Sequence, residues 1–141
     1  MYFSKTLAAT ALLSLLSLGS AAPAAAPEEN TSSALTARAI SGEFTWYHTG
    51  LGACGWTNSE SEFVVALGHD RFDPETPNGN PNRNRLCGRR VRANYNGRTI
   101  EATVVDRCAH CQAGDLDLSP AAFRVFASQD AGRIRGTWDF I

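Results

Sequence analysis

The chain has 141 residues, 13 Lys and Arg against 14 Asp and Glu, three His and four Cys, a length that allows one folded domain. Residues 42–141 hold eleven Arg and no Lys against twelve acids, a net charge of −1. That balance excludes the basic excess with which proteins grip nucleic acid or an anionic membrane. It suits a neutral, hydroxyl-rich polymer or another protein better.

Lys5 precedes an apolar run from Leu7 to Leu18, and the small residues Gly19 to Ala22 follow. Residues 1–21 therefore read as a secretory signal peptide, too short for a membrane span. Export is expected, to the extracellular space or the cell wall. Residues 22–41 are rich in Ala, Pro, Glu, Ser and Thr and hold no aromatic side chain, so they read as a disordered leader. The leader carries one glycosylation sequon, Asn30-Thr31-Ser32. The folded unit is then residues 42–141, expected to be a monomer.

Residues 42–48 (GEFTWYH) are aromatic and β-branched, a first strand. A glycine-punctuated loop, residues 49–55, leads to Trp56. Residues 63–67 (FVVAL) form a short apolar run ending at Gly68, a buried strand. Residues 71–85 are rich in Pro, Asn and Gly without periodicity, so either a functional rim or a mobile segment is expected there. Residues 89–95 alternate polar and apolar, Asn96-Gly97 signals a type I′ hairpin, and residues 98–105 return as a strand. On that strand Ile100, Ala102 and Val104 share one face and Thr99, Glu101 and Thr103 the other. Ser119 suits a helix N-cap and Pro120 the first helical position. The helix places Ala122, Phe123, Phe126 and Ala127 on one side and is expected to stop near Gly132. Residues 133–141 (RIRGTWDFI) form a last strand, with Ile134, Trp138 and Phe140 as candidates for burial. Five short strands and one short helix make a small barrel or sandwich.

The stretch TVVDRCAHCQAGDLDLSPAAF, residues 103–123, carries the chemistry. A strand delivers Asp106 and Arg107 at its end, a cysteine-bounded turn follows, and the chain returns with Asp115 and Asp117 before the helix. Four cysteines in a small exported domain read as disulfides, with three pairings possible. Cys54–Cys87 and Cys108–Cys111 are favoured, the second pinning the Asp106 loop. The rivals are a zinc site using His110, which lacks a second close ligand pair, and a redox pair, which lacks a following helix. No metal and no cofactor are expected.

Together GEFTWYHTGLGACGW, LCGRRVRANYNGRTIEATVVDRC and GDLDLSPAAF resemble the double-psi β-barrel superfamily. The likeness is to secreted single-domain proteins related to expansins, loosenins, barwin and the rare lipoprotein A domain. It implies an all-β fold, a disulfide-stabilised six-stranded double-psi barrel with one short helix. It also implies a polysaccharide groove with Thr45 on the first strand, Asp106 at a strand end, and Asp117 as the carboxylate essential for acting on polysaccharide. Trp46, Tyr47 and Trp56 become candidate platforms for sugar rings; Arg107 is expected to pair with Asp106 or Asp117. The second, carbohydrate-binding domain of expansins has no counterpart in these residues. The base that related endoglucanases carry at the end of the first strand is also missing, since residues 45–49 hold no acid.

Three functions follow as expectations. The first is non-hydrolytic binding and loosening of a wall polysaccharide (cellulose, chitin or peptidoglycan). The second, from relatives sharing the ACGW segment, is inhibition of papain-like cysteine proteases through the loop around Cys54, Gly55 and Trp56. The third is a lytic transglycosylase or weak endoglucanase. Protonation of Asp117 separates the first from the third: the following helix N-terminus favours the carboxylate, which suits binding and loosening, whereas burial and Asp106 favour the acid, with which lytic cleavage without a base becomes possible.

Overall fold

The computed structural model describes residues 38–141; the expected signal peptide and residues 22–37 of the leader lie outside them. Six strands close into a barrel in the order β1-β5-β2-β4-β3-β6. They are β1 (Ile40–Trp46), β2 (Val64–Gly68), β3 (Arg90–Tyr95), β4 (Arg98–Cys108), β5 (Leu116–Leu118) and β6 (Ile134–Phe140). β1 pairs in parallel with β5, and β2 in parallel with β4; the other four contacts are antiparallel. A closed barrel has no free sheet edge. β1 takes in Ile40 and Ser41, two residues ahead of the expected start of the folded unit.

Alternation fills the interior. Phe44, Val65, Leu67, Val91, Ala93, Val104, Leu116, Leu118 and Trp138 point inward and are fully buried, each large aliphatic or aromatic chain contributing about 1.5–3 kcal/mol. Ile100 and Ala102 join them from β4, as the alternation predicted. Ile134 and Phe140 are only partly buried at the rim of the core. The β3–β4 hairpin turns on Asn96 (φ 46°) and Gly97 (φ 77°), the left-handed pair that a type I′ turn demands.

Two short helices close the barrel, α1 (His69–Phe72) and α2 (Pro120–Phe126). α2 starts as expected: the Ser119 hydroxyl accepts from the Ala122 N–H, and Pro120 opens the helix. It stops at Phe126 rather than near Gly132, because Ala127 is extended (φ −155°). Ser128 then caps a separate 3₁₀ turn, Gln129–Ala131, by accepting from the Asp130 N–H. Serine competes in this way with helix continuation.

The aperiodic stretch after α1 folds into three 3₁₀ turns, each with a proline at its start. Buried Asn84 ties it down, donating to Phe72 O (2.6 Å) and Thr76 Oγ1 (2.8 Å) and accepting from Leu86 N–H. Both favoured disulfides, Cys54–Cys87 and Cys108–Cys111, are formed. Among the described residues no helix is long and apolar enough to cross a membrane.

Candidate functional site

Register builds the site. Thr45 on β1 pairs with Asp117 on β5, Asp117 with Ala66 on β2, and Ala66 with Asp106 on β4. Paired residues share a face, so Thr45, Asp117, Ala66 and Asp106 form one row across four strands. Leu116 and Leu118 fill the core on either side of Asp117, which turns the row toward the outside of the barrel. Glu43 and Tyr47 lie on the same face as Thr45, two positions before and after it; Tyr47 extends the ladder by donating its N–H to Leu118 O.

Within the row the Thr45 hydroxyl donates to Asp117 Oδ1 at 2.7 Å. Burial pushes the Asp117 carboxyl above its ordinary value; Asp106 adds to the rise, while the Thr45 bond and Arg133 oppose it. Tyr47 packs beside Ala66 and the Cys108–Cys111 disulfide. Its phenol is held far above the usual tyrosine range by burial and by the charges of Asp106 and Asp117, so it stays a neutral O–H.

Asp106 is used differently. Its Oδ1 accepts from the Ala53 N–H (2.8 Å) and the Arg107 N–H (2.7 Å), fastening the loop of residues 51–57 to the end of β4. That loop closes on itself through Gly52 N–H to Trp56 O and a bridge between Leu51 and Thr57, and the Cys54–Cys87 disulfide holds its base.

A cleft of about 120 Å³ opens over Thr45 and Asp117, walled by Glu43, His110, Asp115 and Arg133 and by the Cys108–Cys111 disulfide. Arg133 is ion-paired with Glu43. Asp115 accepts from the Glu43 N–H and the Gln112 N–H, both at 2.8 Å, which fixes the wall. Cys108 Sγ, Cys111 Sγ and an Asp117 oxygen lie within 4.8 Å of one another, but with both sulfurs in the disulfide no thiolate ligand is offered.

The structure gathers Thr45, Tyr47, Asp106 and Asp117, but leaves the other candidates apart. Trp46 faces the opposite side of β1, packs on the core, and donates its indole N–H to Gln129 O (3.0 Å). Trp56 stands on loop 51–57, 45% exposed, against Gly88. Arg107 pairs with neither aspartate of the row: its guanidinium clamps Asp73 with two bonds of 2.6 and 2.7 Å. Its side chain leaves β4 on the side of the 3₁₀ turns, which put Asp73 in reach. Glu43, His110, Asp115 and Arg133 line the cleft without having been nominated as binding residues, and of these Glu43 and Asp115 had a signal to find them. Each lies two positions from a nominated one, and alternation carries that signal.

No family model matches the chain. It is 39% identical over 106 residues to a papain inhibitor of Streptomyces mobaraensis, covering 72% of this chain and 71% of that protein. The solved Streptomyces papain inhibitor superposes with a TM-score of 0.67 at 40% identity, over 74% of this chain and 94% of that one. The chain belongs to the double-psi β-barrel family. A mutant Clavibacter michiganensis expansin in complex with cellohexaose shares the barrel at a TM-score of 0.59 and 24% identity, over 73% of this chain and 50% of that one. Asp f 7, an allergen of Aspergillus fumigatus, is 40% identical over 106 residues. This double-psi barrel spans 36% of the allergen's length.

Proposed function

We propose that the protein is exported and binds a cell-wall polysaccharide in the Thr45–Asp117 cleft, loosening it without cutting it. The observation that carries this reading is the Asp117 carboxyl itself. It is half-buried, held at one oxygen by Thr45, and lines the cleft with Glu43, Asp115 and Arg133, with the neutral Tyr47 hydroxyl on the same face. Its raised pKa would equally serve a proton donor in lytic cleavage, so the release of soluble fragments decides between the two. A carboxyl, a threonine and a phenol on one face can each exchange hydrogen bonds with sugar hydroxyls. Cleavage with inversion would need a base across the sugar from Asp117, and Asp106 is committed to two backbone N–H groups. The barrel shared with an expansin crystallised with cellohexaose is in keeping with this reading.

Retention of the full chain on insoluble cellulose, chitin and peptidoglycan tests it, wild type beside Asp117→Asn. Selective retention of the wild type on one polymer is expected. Equal retention of both proteins, or release of soluble fragments, would sink it.

A second reading rests on loop 51–57. Leu51 is 75% and Trp56 45% exposed on a loop held by a disulfide and by Asp106, and preorganised apolar anchors suit protein docking. With a papain inhibitor among the relatives, the partner would be a papain-like cysteine protease. Titration against papain decides: inhibition lost in Leu51→Asp and Trp56→Ala but kept in Asp117→Asn supports it, and no inhibition by the wild type removes it.

A further inference from the structure

On the other side of loop 112–115 from Asp117 lies a second cleft, of about 380 Å³, lined by Arg71, Arg89, Phe140, Leu86, Asp70 and Glu75. Behind Arg71, Arg89 and Phe140 stands fully buried Trp138, which joins them into a ladder of cations and rings. The Arg71 guanidinium sits 5.3 Å from the Trp138 ring centre, Trp138 meets Phe140 edge-on at 5.1 Å, and the Arg89 guanidinium lies 4.2 Å over Phe140. Stacking orients a guanidinium yet leaves its N–H edges free for a bidentate partner. Arg71 spends Nε on Ala113 O (2.6 Å), which leaves its two terminal nitrogens. Arg89 donates no side-chain hydrogen bond among the described residues, and neither arginine has an ion pair there.

The acids of the cleft are the ones already partnered. Asp70 lies 3.0 Å from His69 Nε2, and Glu75 lies 3.8 Å from Arg85. The cleft thus sets two preoriented guanidiniums beside two carboxylates that can still accept hydroxyl hydrogens. A phosphate or sulfate would pair with the guanidiniums but bring no hydroxyl hydrogen for Asp70 and Glu75 to accept. A sugar ring with one carboxylate and several hydroxyls meets every group with its complement.

From this we infer that the Arg71–Arg89 cleft is a subsite for a uronate unit carried by the wall polymer, a local exception to the neutral polymer that the charge balance of the whole domain suits. This rests on the polysaccharide reading of the Asp117 cleft. The two clefts share loop 112–115 as a wall: Ala113 O holds Arg71, and Asp115 lines the Asp117 side. A single polymer chain crossing the loop would place one unit in each.

The full chain is assayed for binding to polygalacturonate, to cellohexaose and to poly-glutamate, as wild type, Arg71→Gln/Arg89→Gln, Arg89→Gln, Arg71→Lys/Arg89→Lys and Asp117→Asn. The double Gln variant is expected to bind polygalacturonate about tenfold or more weakly, the loss of a charge-assisted bidentate contact. In Arg89→Gln alone, which keeps the Arg71–Ala113 bond of the shared loop, polygalacturonate binding falls and cellohexaose binding is unchanged. The double Lys variant keeps the charge but not the fork, so it should restore little. Unchanged polygalacturonate binding in the double Gln variant, full restoration by Lys, or poly-glutamate bound as tightly as polygalacturonate would each overturn the uronate subsite. Loss of sugar binding in Asp117→Asn separates the two claims, because failure of that variant alone to weaken binding sinks the first cleft and leaves the second standing. A wild type that binds neither sugar overturns both.

Discussion

Asp106 and Asp117 are register partners of the same residue, Ala66, from the strands on either side of β2. Two strand spacings, roughly 9–10 Å, separate their Cα atoms, and each carboxyl has its own partners, Asp106 the Ala53 and Arg107 N–H groups and Asp117 the Thr45 hydroxyl, so the two divide the work. Asp106 holds loop 51–57; Asp117 faces the cleft. Asp106→Ala removes the acceptor of two N–H groups and is expected to destabilise the protein by about 1–3 kcal/mol. The local signature is faster hydrogen exchange at the Ala53 and Arg107 amides. In Asp117→Asn those amides keep their protection, and an equal loss in both variants would contradict the division.

The Thr45 hydroxyl lowers the Asp117 pKa against the stronger effect of burial. In Thr45→Val that bond is gone, so the Asp117 carboxyl moves further up; Thr45→Ser restores it. Carboxyl-carbon NMR through a pH titration reads the change directly. A downward move in Thr45→Val would show that the Thr45 bond does not favour the carboxylate.

The raised Asp117 pKa also fixes a sign for stability. A carboxyl whose folded pKa lies above the unfolded one stabilises the fold below its unfolded pKa, and that contribution is lost as pH rises through the folded pKa. Asp117→Asn is always neutral, and its amide oxygen can still accept from Thr45. The variant is therefore expected to match the wild type in acid and to exceed it in stability at neutral pH. Denaturant midpoints at the two ends of that range check this, and a variant less stable at neutral pH than in acid, relative to wild type, would refute it.

Most of the barrel was legible because its strands carry their own signals. Residues 98–104 alternate cleanly, and Asn96-Gly97 names its turn. β5 was not: Leu116–Leu118 is three residues long, and it is a strand only because β1 and β2 flank it. The helix end was misplaced because Gly132 looked like the stop, while Ser128 begins a new turn first. Thr45, Asp106 and Asp117 came from motif resemblance, and the register that aligns them came from the fold. Trp46 shows the reverse. It is adjacent to Thr45, so alternation alone puts the two on opposite faces. Arg107 found Asp73 because the proline-led 3₁₀ turns brought it near, a long-range contact with no local trace.

The two disulfides constrain very different lengths of chain. Cys54–Cys87 closes a separation of 33 residues and Cys108–Cys111 one of 3. Loop-closure entropy assigns about 3–4 kcal/mol to the first and about 2 kcal/mol to the second. Cys54→Ala/Cys87→Ala should lower the melting temperature more than Cys108→Ala/Cys111→Ala. The smaller pair should instead cost binding at the Asp117 cleft, whose wall it forms. Differential scanning calorimetry beside polysaccharide retention separates the two effects, and a reversed order of melting temperatures would contradict the loop-length account.

Loop 112–115, the wall between the two clefts, lies pressed against glycines of β1 and β2. A Cβ at Gly42 would collide with Gly114 O, and one at Gly68 with Gln112 O. Neither glycine has a positive φ, so the need is for space, not backbone freedom. This makes the sign of a substitution diagnostic. Where the site has room and the backbone is compatible, Gly→Ala stabilises a chain by about 0.4–1 kcal/mol through the unfolded state. Here the backbone carbonyls cannot step aside without moving the loop, so Gly68→Ala and Gly42→Ala should each destabilise by about 1–3 kcal/mol. The same shift would pull Ala113 O from Arg71, Gly114 O from the Trp138 N–H, and Asp115 from Glu43. Retention on neutral and on acidic polysaccharide should therefore fall together in Gly68→Ala, unlike the selective loss in Arg89→Gln. Chemical denaturation gives the stability change, and a stabilised Gly68→Ala with both retentions intact would mean that the loop is not clamped as its glycine contacts require.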